Sequence, residues 1–264
     1  MDSLTVLNDT VTQAVTEAVT GEAAQTGVSL SELMYKGWLG LLAEQGRLPV
    51  AVWVLVIVLC AAIGYFLGSI NFAVVISKLK FGDDIRKHGS GNAGATNMSR
   101  VYGKSAGIAT LAGDILKTVV AVLIARLLCG DVIAYMTGMF CALGHAFPCY
   151  YKFKGGKCVA VTAAMALTLE PLAFLFAFLV FAVMLLGTKY VSMASISAAL
   201  MYPLILYNIM EMRYGHGDLR IVFVLITCVL VVFLHKENIK RLRDGKENKF
   251  KFKKSEKNKN KAEK

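Results

Sequence analysis

The chain has no pair of cysteines at metal-binding spacing. Its six cysteines are scattered, and Cys60, Cys129, Cys141 and Cys228 lie in apolar runs, where packing is their ordinary role. A metal cluster or a disulfide framework is therefore not expected. Acid is scarce as well, with 18 Asp and Glu against 29 Lys and Arg, a formal net charge of +11. The bases sit in loops and a tail between apolar spans, so they read as orientation signals and anion contacts and exclude a nucleic-acid partner. Residues 1–49 lack the basic start and apolar core of a secretory signal. They carry Asp2, Asp9, Glu17, Glu22, Glu32 and Glu44 against Lys36 and Arg47.

What the chain does have is apolar length. Hydrophobic residues make up 56% of it at a mean hydropathy of +0.57. Such content together with a high net charge points to a membrane solvent. The first span is residues 50–67, followed by a break at Gly68-Ser69-Ile70-Asn71 and a short apolar helix over 70–79. Residues 105–128 form the next span. Asp114 and Lys117 lie three apart within it, on one face, and are expected to pair structurally. A Gly130-Asp131 turn leads to 132–147. Then come a short span over 158–169, a stop at Glu170-Pro171, and spans over 172–186, 191–209 and 221–234. Residues 210–218 form a polar loop with Arg213 and His216.

The expected fold is an all-α integral membrane protein of about seven transmembrane helices, some short, with polar loops forming a site at one face. Residues 1–49 read as a flexible, extracytoplasmic extension, in which 30–42 has the apolar spacing of an interfacial helix. Residues 50–243 form the membrane domain and 244–264 a lysine-rich tail suited to anionic lipid heads. From Lys236 onward the chain has thirteen Lys or Arg and five acids. Basic segments stay in the cytoplasm, which places the C-terminus inside and, with seven spans, the N-terminus outside. Three polar clusters then share the cytoplasmic face.

The first cluster runs from Asp84 to Arg100 and contains Gly89-Ser90-Gly91-Asn92-Ala93-Gly94-Ala95-Thr96-Asn97. Glycines let several N–H groups meet at one point, and Arg86 and Arg100 add forks suited to phosphate or carboxylate. The second is Gly144-His145-Ala146-Phe147-Pro148 with Phe153-Lys154-Gly155-Gly156-Lys157. Its two lysines flank a pair of glycines whose bare N–H groups are expected to face the same oxyanion. Neither its glycine spacing nor its ending matches a P-loop. The third is His235-Lys236-Glu237-Asn238-Ile239-Lys240-Arg241-Leu242, with His235 and Asn238 three apart on one face of a continuing helix.

At these residues the chain resembles the bacterial acyl-phosphate:glycerol-3-phosphate acyltransferase family, over roughly residues 67–247. All three motifs occur in order, the third extending through Gly245 and Glu247. Cys158 and Val161 stand where the family favours Gly and Thr. The resemblance implies transfer of a fatty acyl group from acyl phosphate to the sn-1 hydroxyl of glycerol 3-phosphate. Lysophosphatidic acid and phosphate would form in a bacterial plasma membrane, without cofactor or metal. Acyl phosphate already carries a good leaving group, so no covalent acyl-enzyme is needed. A substrate phosphate, with a second pKa near 6, can accept the hydroxyl proton.

Within that resemblance, Ser90, Arg100 and Lys157 are the expected phosphate or oxyanion contacts. Gly89, Gly91, Asn92, Thr96 and Asn97 shape their loop, and Lys154, Gly155 and Gly156 complete the second cluster. His235 and Asn238 resemble the family's glycerol phosphate contacts, with Glu237 or Glu247 orienting the cations. His145 is either a direct contact or a hydrogen bond holding the second motif to the bundle. Arg241 is a site residue or a lipid anchor. Partners implied are the two substrates, membrane lipids and a soluble enzyme that supplies acyl phosphate. None of His88, His145, His216 or His235 has Asp five residues on, which argues against a coenzyme A-dependent enzyme. The competing class is a transporter for a phosphorylated solute, although no internal repeat supports it.

Overall fold

The computed structural model describes residues 29–215 and 218–250, and within them every regular element is helical. His216 and tail residues 251–264 fall outside the described residues. Residues 1–28 of the expected N-terminal extension also fall outside them; beyond, where 30–42 has helical apolar spacing, the chain forms α1 (Leu30–Lys36) and α2 (Trp38–Glu44). Ser29 caps α1 by accepting from the Glu32 N–H. The membrane body begins with α3 (Val50–Ser69), which follows Pro49, and α4 (Phe72–Phe81). The break between them is where expected, with the Asn71 side chain capping α4 through the Val74 N–H. The amphipathic α5 (Ala95–Tyr102) lies across the end of the bundle before α6 (Lys104–Ala146).

α6 is a hairpin. Gly130 has φ 79° and ψ −176°, a conformation open to glycine and costly to other residues. The two legs double back from it, since Thr118 contacts Cys141 and Lys117 contacts His145. A side chain at Gly130 would strike the Tyr35 carbonyl, and one at Gly37 would strike the Gly130 nitrogen, so α1 is seated on the turn. The second leg lies against α3 without room for a methyl group at Gly64, Gly68 or Gly144. Such contact is how membrane helices gain packing energy where lipid removes the hydrophobic drive.

α7 (Val159–Leu169), α8 (Pro171–Thr188), α9 (Val191–Tyr214) and α10 (Leu219–Leu234) complete the bundle, and α11 (Lys236–Arg243) bends off α10 by 50°. Tyr135, Met165, Tyr202, Leu206, Met210, Val224 and Val231 fill the centre. α8 buries only Ala173 and turns Leu175, Phe176, Phe178, Leu179 and Val183 outward, as a lipid-facing helix does. Among the described residues, four helical stretches are long and apolar enough to cross a membrane, with both legs of the α6 hairpin counted as one stretch, and five when α10 and α11 count as one. The seven spans of the sequence reading are all helical; α7, at 11 residues and about 16 Å, is short, yet it leads from Lys157 at one end of the bundle to Glu170 at the other, where Arg126 donates to the Thr168 carbonyl and Arg213 pairs with Glu170.

Apart from the buried pair Asp114 and Lys117, charged residues gather at the two ends of the bundle. At the end bearing the Gly130 turn, Arg126 pairs with Asp131 at 2.7 Å and Arg213 with Glu170 at 2.8 Å. Arg220 pairs with Asp218 and lies between the rings of Tyr35 and Tyr214. The three sequence motifs occupy the other end.

Candidate functional site

The first motif folds into a tight loop built around Asn97. Its buried amide donates to the carbonyls of His88 (2.9 Å) and Asn92 (3.0 Å), and its oxygen accepts from the Ser90 N–H at 2.9 Å. Gly89 and Gly91 take positive φ, and a side chain at Gly89 would strike Asn97 Oδ1. The result holds Ser90 at the surface, with its hydroxyl making no hydrogen bond among the described residues. Thr96 and Arg100 are exposed on α5, and the Arg100 guanidinium has no ion pair among the described residues. Arg86 behaves differently from the expected anion fork. It is consumed by Asp84 and by the carbonyls of Tyr151 (2.7 Å) and Lys154 (3.0 Å), which clips the first motif to the second.

The second motif runs back over the end of α6. The expectation of bare N–H groups at its glycine pair does not hold. Gly155 donates to the Ala146 carbonyl and Gly156 to the His145 carbonyl, both at 3.0 Å. These positions are glycine because space demands it: a Cβ at Gly156 would lie 2.1 Å from His145 Nε2, and one at Gly155 would lie 1.9 Å from the His145 carbonyl. His145 is buried against Lys117 and Asp114, so of its two expected roles the geometry fits the hydrogen bond that holds the motif. Lys154 is exposed, at the loop surface. Cys158 sits at φ 64°, which suits glycine better, with its thiol donating to the Ala142 carbonyl at 3.1 Å.

The third motif closes the site. His235 ends α10 and is 3% exposed, and its Nδ1–H donates to the Val231 carbonyl at 2.7 Å. That bond sets the tautomer and leaves Nε2 as the free acceptor when the ring is neutral. Burial, then the nearby Lys157 charge, holds the ring below its ordinary pKa. Asn238, one turn on, receives a short hydrogen bond from Lys157, joining residues 81 apart in the chain. The Asn238 amide in turn donates to Glu247 at 2.6 Å. Glu247 also accepts from Ser192 (2.9 Å) and Arg241 (2.7 Å), tying α9, α11 and the following strand of chain together. Burial alone would raise the Glu247 carboxyl, but bonds from Arg241, Asn238 and Ser192 outweigh it and hold it below its ordinary value.

Lys157 is the electrostatic centre. Among the described residues its one hydrogen-bond partner is the neutral Asn238 amide, and no carboxylate there pairs with it. Burial, reinforced by Arg241 and Arg100 and opposed by Glu247 and Glu237, pushes its pKa down to about 8. All five groups therefore share one field although they come from three separate motifs. Glu237 itself is exposed and touches the site only through that field. Sequence reasoning left out Ser192 and the carbonyl grips of Arg86, because neither serine in an apolar span nor a backbone acceptor leaves a spacing signal.

Chemically, the partly buried Lys157 ammonium lies within the fields of the Arg100 guanidinium and the His235 imidazole, and the Ser90 loop adjoins it where Ala93 crowds Gly156. That set suits a phosphorylated molecule with a hydroxyl to be activated. A family model described as Glycerol-3-phosphate acyltransferase matches residues 58–245. The chain is 39% identical over 192 residues to Glycerol-3-phosphate acyltransferase 2 of Bacillus anthracis, covering 73% of this chain and 98% of that protein. Among solved structures it is similar to PlsY (YgiH), an integral membrane glycerol 3-phosphate acyltransferase, in its glycerol 3-phosphate form. That match has a TM-score of 0.69 at 37% identity, covering 74% of this chain and 96% of the other. The lysophosphatidic acid form matches with a TM-score of 0.66 at 34% identity, covering 74% and 95%.

Proposed function

This chain belongs to the glycerol-3-phosphate acyltransferase family, and from that premise we propose that it acylates glycerol 3-phosphate using acyl phosphate as donor. The products are lysophosphatidic acid and orthophosphate. The observation that carries the reading is the contact between Lys157 and Asn238, which brings the second and third motifs together beside Arg100 of the first. Two phosphorylated reactants need two cationic seats side by side, and Arg100 and Lys157 provide them. The Ser90 hydroxyl and the N–H groups of its loop suit the oxygen charge that grows as phosphate leaves. His235 and Asn238 hold the glycerol phosphate, with Nε2 of the neutral imidazole able to accept from the attacking hydroxyl.

No side chain needs to carry the acyl group. The hydroxyl oxygen attacks the acyl carbonyl, the C–O bond to phosphate breaks, and the hydroxyl proton passes to a phosphate oxygen. Glu237 and Glu247 orient the cations, and His145, Gly155 and Gly156 hold the lysine loop in place. The basic charge of Lys154, Lys236, Lys240 and of the lysine-rich tail sequence suits anionic lipid heads, which supports a site on the cytoplasmic side, with the C-terminus inside and the N-terminus outside. A soluble enzyme that makes acyl phosphate would meet the same basic face.

The test is direct. Detergent-purified protein is incubated with palmitoyl phosphate and glycerol 3-phosphate, and lysophosphatidic acid and orthophosphate are followed together. Equimolar release that depends on both substrates is the expected result. Product formed from palmitoyl-CoA and not from palmitoyl phosphate overturns the donor assignment.

A further inference from the structure

One charged cluster inside the bundle is not used by the proposed reaction. Asp114, Lys117 and His145 are 1%, 5% and 3% exposed. Lys117 Nζ lies 2.8 Å from Asp114 Oδ1 and 3.0 Å from His145 Nδ1. It also lies 3.0 Å from the Gly68 carbonyl and 2.7 Å from the Ile70 carbonyl. A pair kept only to neutralise a buried carboxylate would stop at the first of these contacts. The others reach two structures that matter to the site.

Gly68 lies in the last turn of α3 and Ile70 caps that helix, at the break before α4. The next residue, Asn71, donates to the Ala93 carbonyl at 3.2 Å, in the middle of the Ser90 loop. On the other side, the His145 carbonyl accepts from the Gly156 N–H at 3.0 Å, one residue before Lys157. The two arms meet again at Gly156, where an added Cβ would lie 2.1 Å from His145 Nε2 and 2.8 Å from the Ala93 carbonyl. One ammonium thus grips the base of both phosphate loops.

We propose that Lys117 is a positioning residue, whose grip on the end of α3 and on His145 sets the spacing between the Ser90 loop and Lys157. The proposal rests on the acyl-transfer reading above. It differs from simple ion pairing in what it demands. A buried pair replaced by neutral side chains of similar size is often close to neutral for stability. Misplacing reacting groups by about 1 Å can instead cost on the order of 100-fold in rate.

The double variant Asp114→Asn with Lys117→Met keeps the interior uncharged and removes every carbonyl and imidazole grip. Full-length variant and wild type are compared in detergent for melting temperature, kcat, KM for glycerol 3-phosphate and the pH profile of kcat/KM. The expected result is a melting temperature within a few degrees of wild type with kcat at least tenfold lower. The alkaline limb set by Lys157 should also rise as that residue gains water. Arg241, Arg100, Glu247, Glu237 and His235 face Lys157 in both proteins and do not account for such a move. An active wild type and a double variant with kcat within twofold and an unmoved limb overturn the proposal alone. A wild type without turnover overturns the acyl-transfer reading and the proposal with it. Should the double variant not fold, Asn71→Ala cuts the tie to Ala93 one bond further on; tenfold lower kcat is expected, and unchanged kcat overturns the proposal.

Discussion

Replacing Gly156 by alanine adds one methyl group at the most crowded point between the motifs. The new Cβ would start 2.1 Å from His145 Nε2 and 2.8 Å from the Ala93 carbonyl, where ordinary contact begins near 3.4 Å. Something must therefore yield by about 1.3 Å. The imidazole cannot swing away cheaply, because Lys117 holds its Nδ1 and the ring is buried. The loop moves instead, and with it goes the bond from the Gly156 N–H to the His145 carbonyl. Overpacking of this kind costs about 1–3 kcal/mol and a lost buried hydrogen bond about 1–3 kcal/mol. The melting temperature should fall by several degrees. Lys157, one residue on, moves with the loop, so kcat/KM should drop on the order of 100-fold in the palmitoyl phosphate assay. Gly187→Ala is the control, since nothing lies within 4 Å of its added Cβ and it sits inside α8. It should keep full activity and, by helix propensity, gain up to about 1 kcal/mol. A Gly156→Ala protein with wild-type melting and turnover within twofold refutes the packing argument.

The alkaline limb of kcat/KM should fall near pH 8, because Lys157, pushed down by burial and by Arg241, loses its charge there and no longer attracts phosphate. A flat profile to pH 10 would separate Lys157 from the chemistry. Arg100→Ala should lower kcat/KM by roughly 100- to 1000-fold, the scale of losing one charge-stabilising donor, with an unchanged melting temperature because the guanidinium supports no other residue among those described. A stable, fully active variant removes Arg100 from the site. Glu247→Ala should destabilise by about 2 kcal/mol, less than a fully buried pair, since Arg241 is partly solvated. Because the folded protein holds the Glu247 carboxyl below its ordinary value, its stabilisation is present above that value and is lost as pH falls through the folded pKa. Acid melting curves of wild type and Glu247→Ala should therefore converge at low pH, and parallel curves would contradict the assignment.

Much of this protein was legible in the chain itself. Apolar runs of about 20 residues specify where helices cross, since burial in lipid depends on composition along a local stretch. The break at Asn71, the stop at Glu170-Pro171 and the pairing of Asp114 with Lys117 are local too, each readable from neighbours within four residues. The grouping of the three motifs followed from charge and topology. What the chain did not reveal depends on atoms far apart in sequence. Arg86 looked like an anion fork until the carbonyls of Tyr151 and Lys154 took its donors. Gly155 and Gly156 looked like donors to a ligand, yet they are small because His145 fills the space beside them. The helical spacing of 30–42 was legible, but not what it packs on: the Gly130 turn offers a notch without room for a side chain at Gly37. Periodicity and composition record the solvent a segment prefers; which backbone group a buried side chain meets is settled only when distant helices pack together.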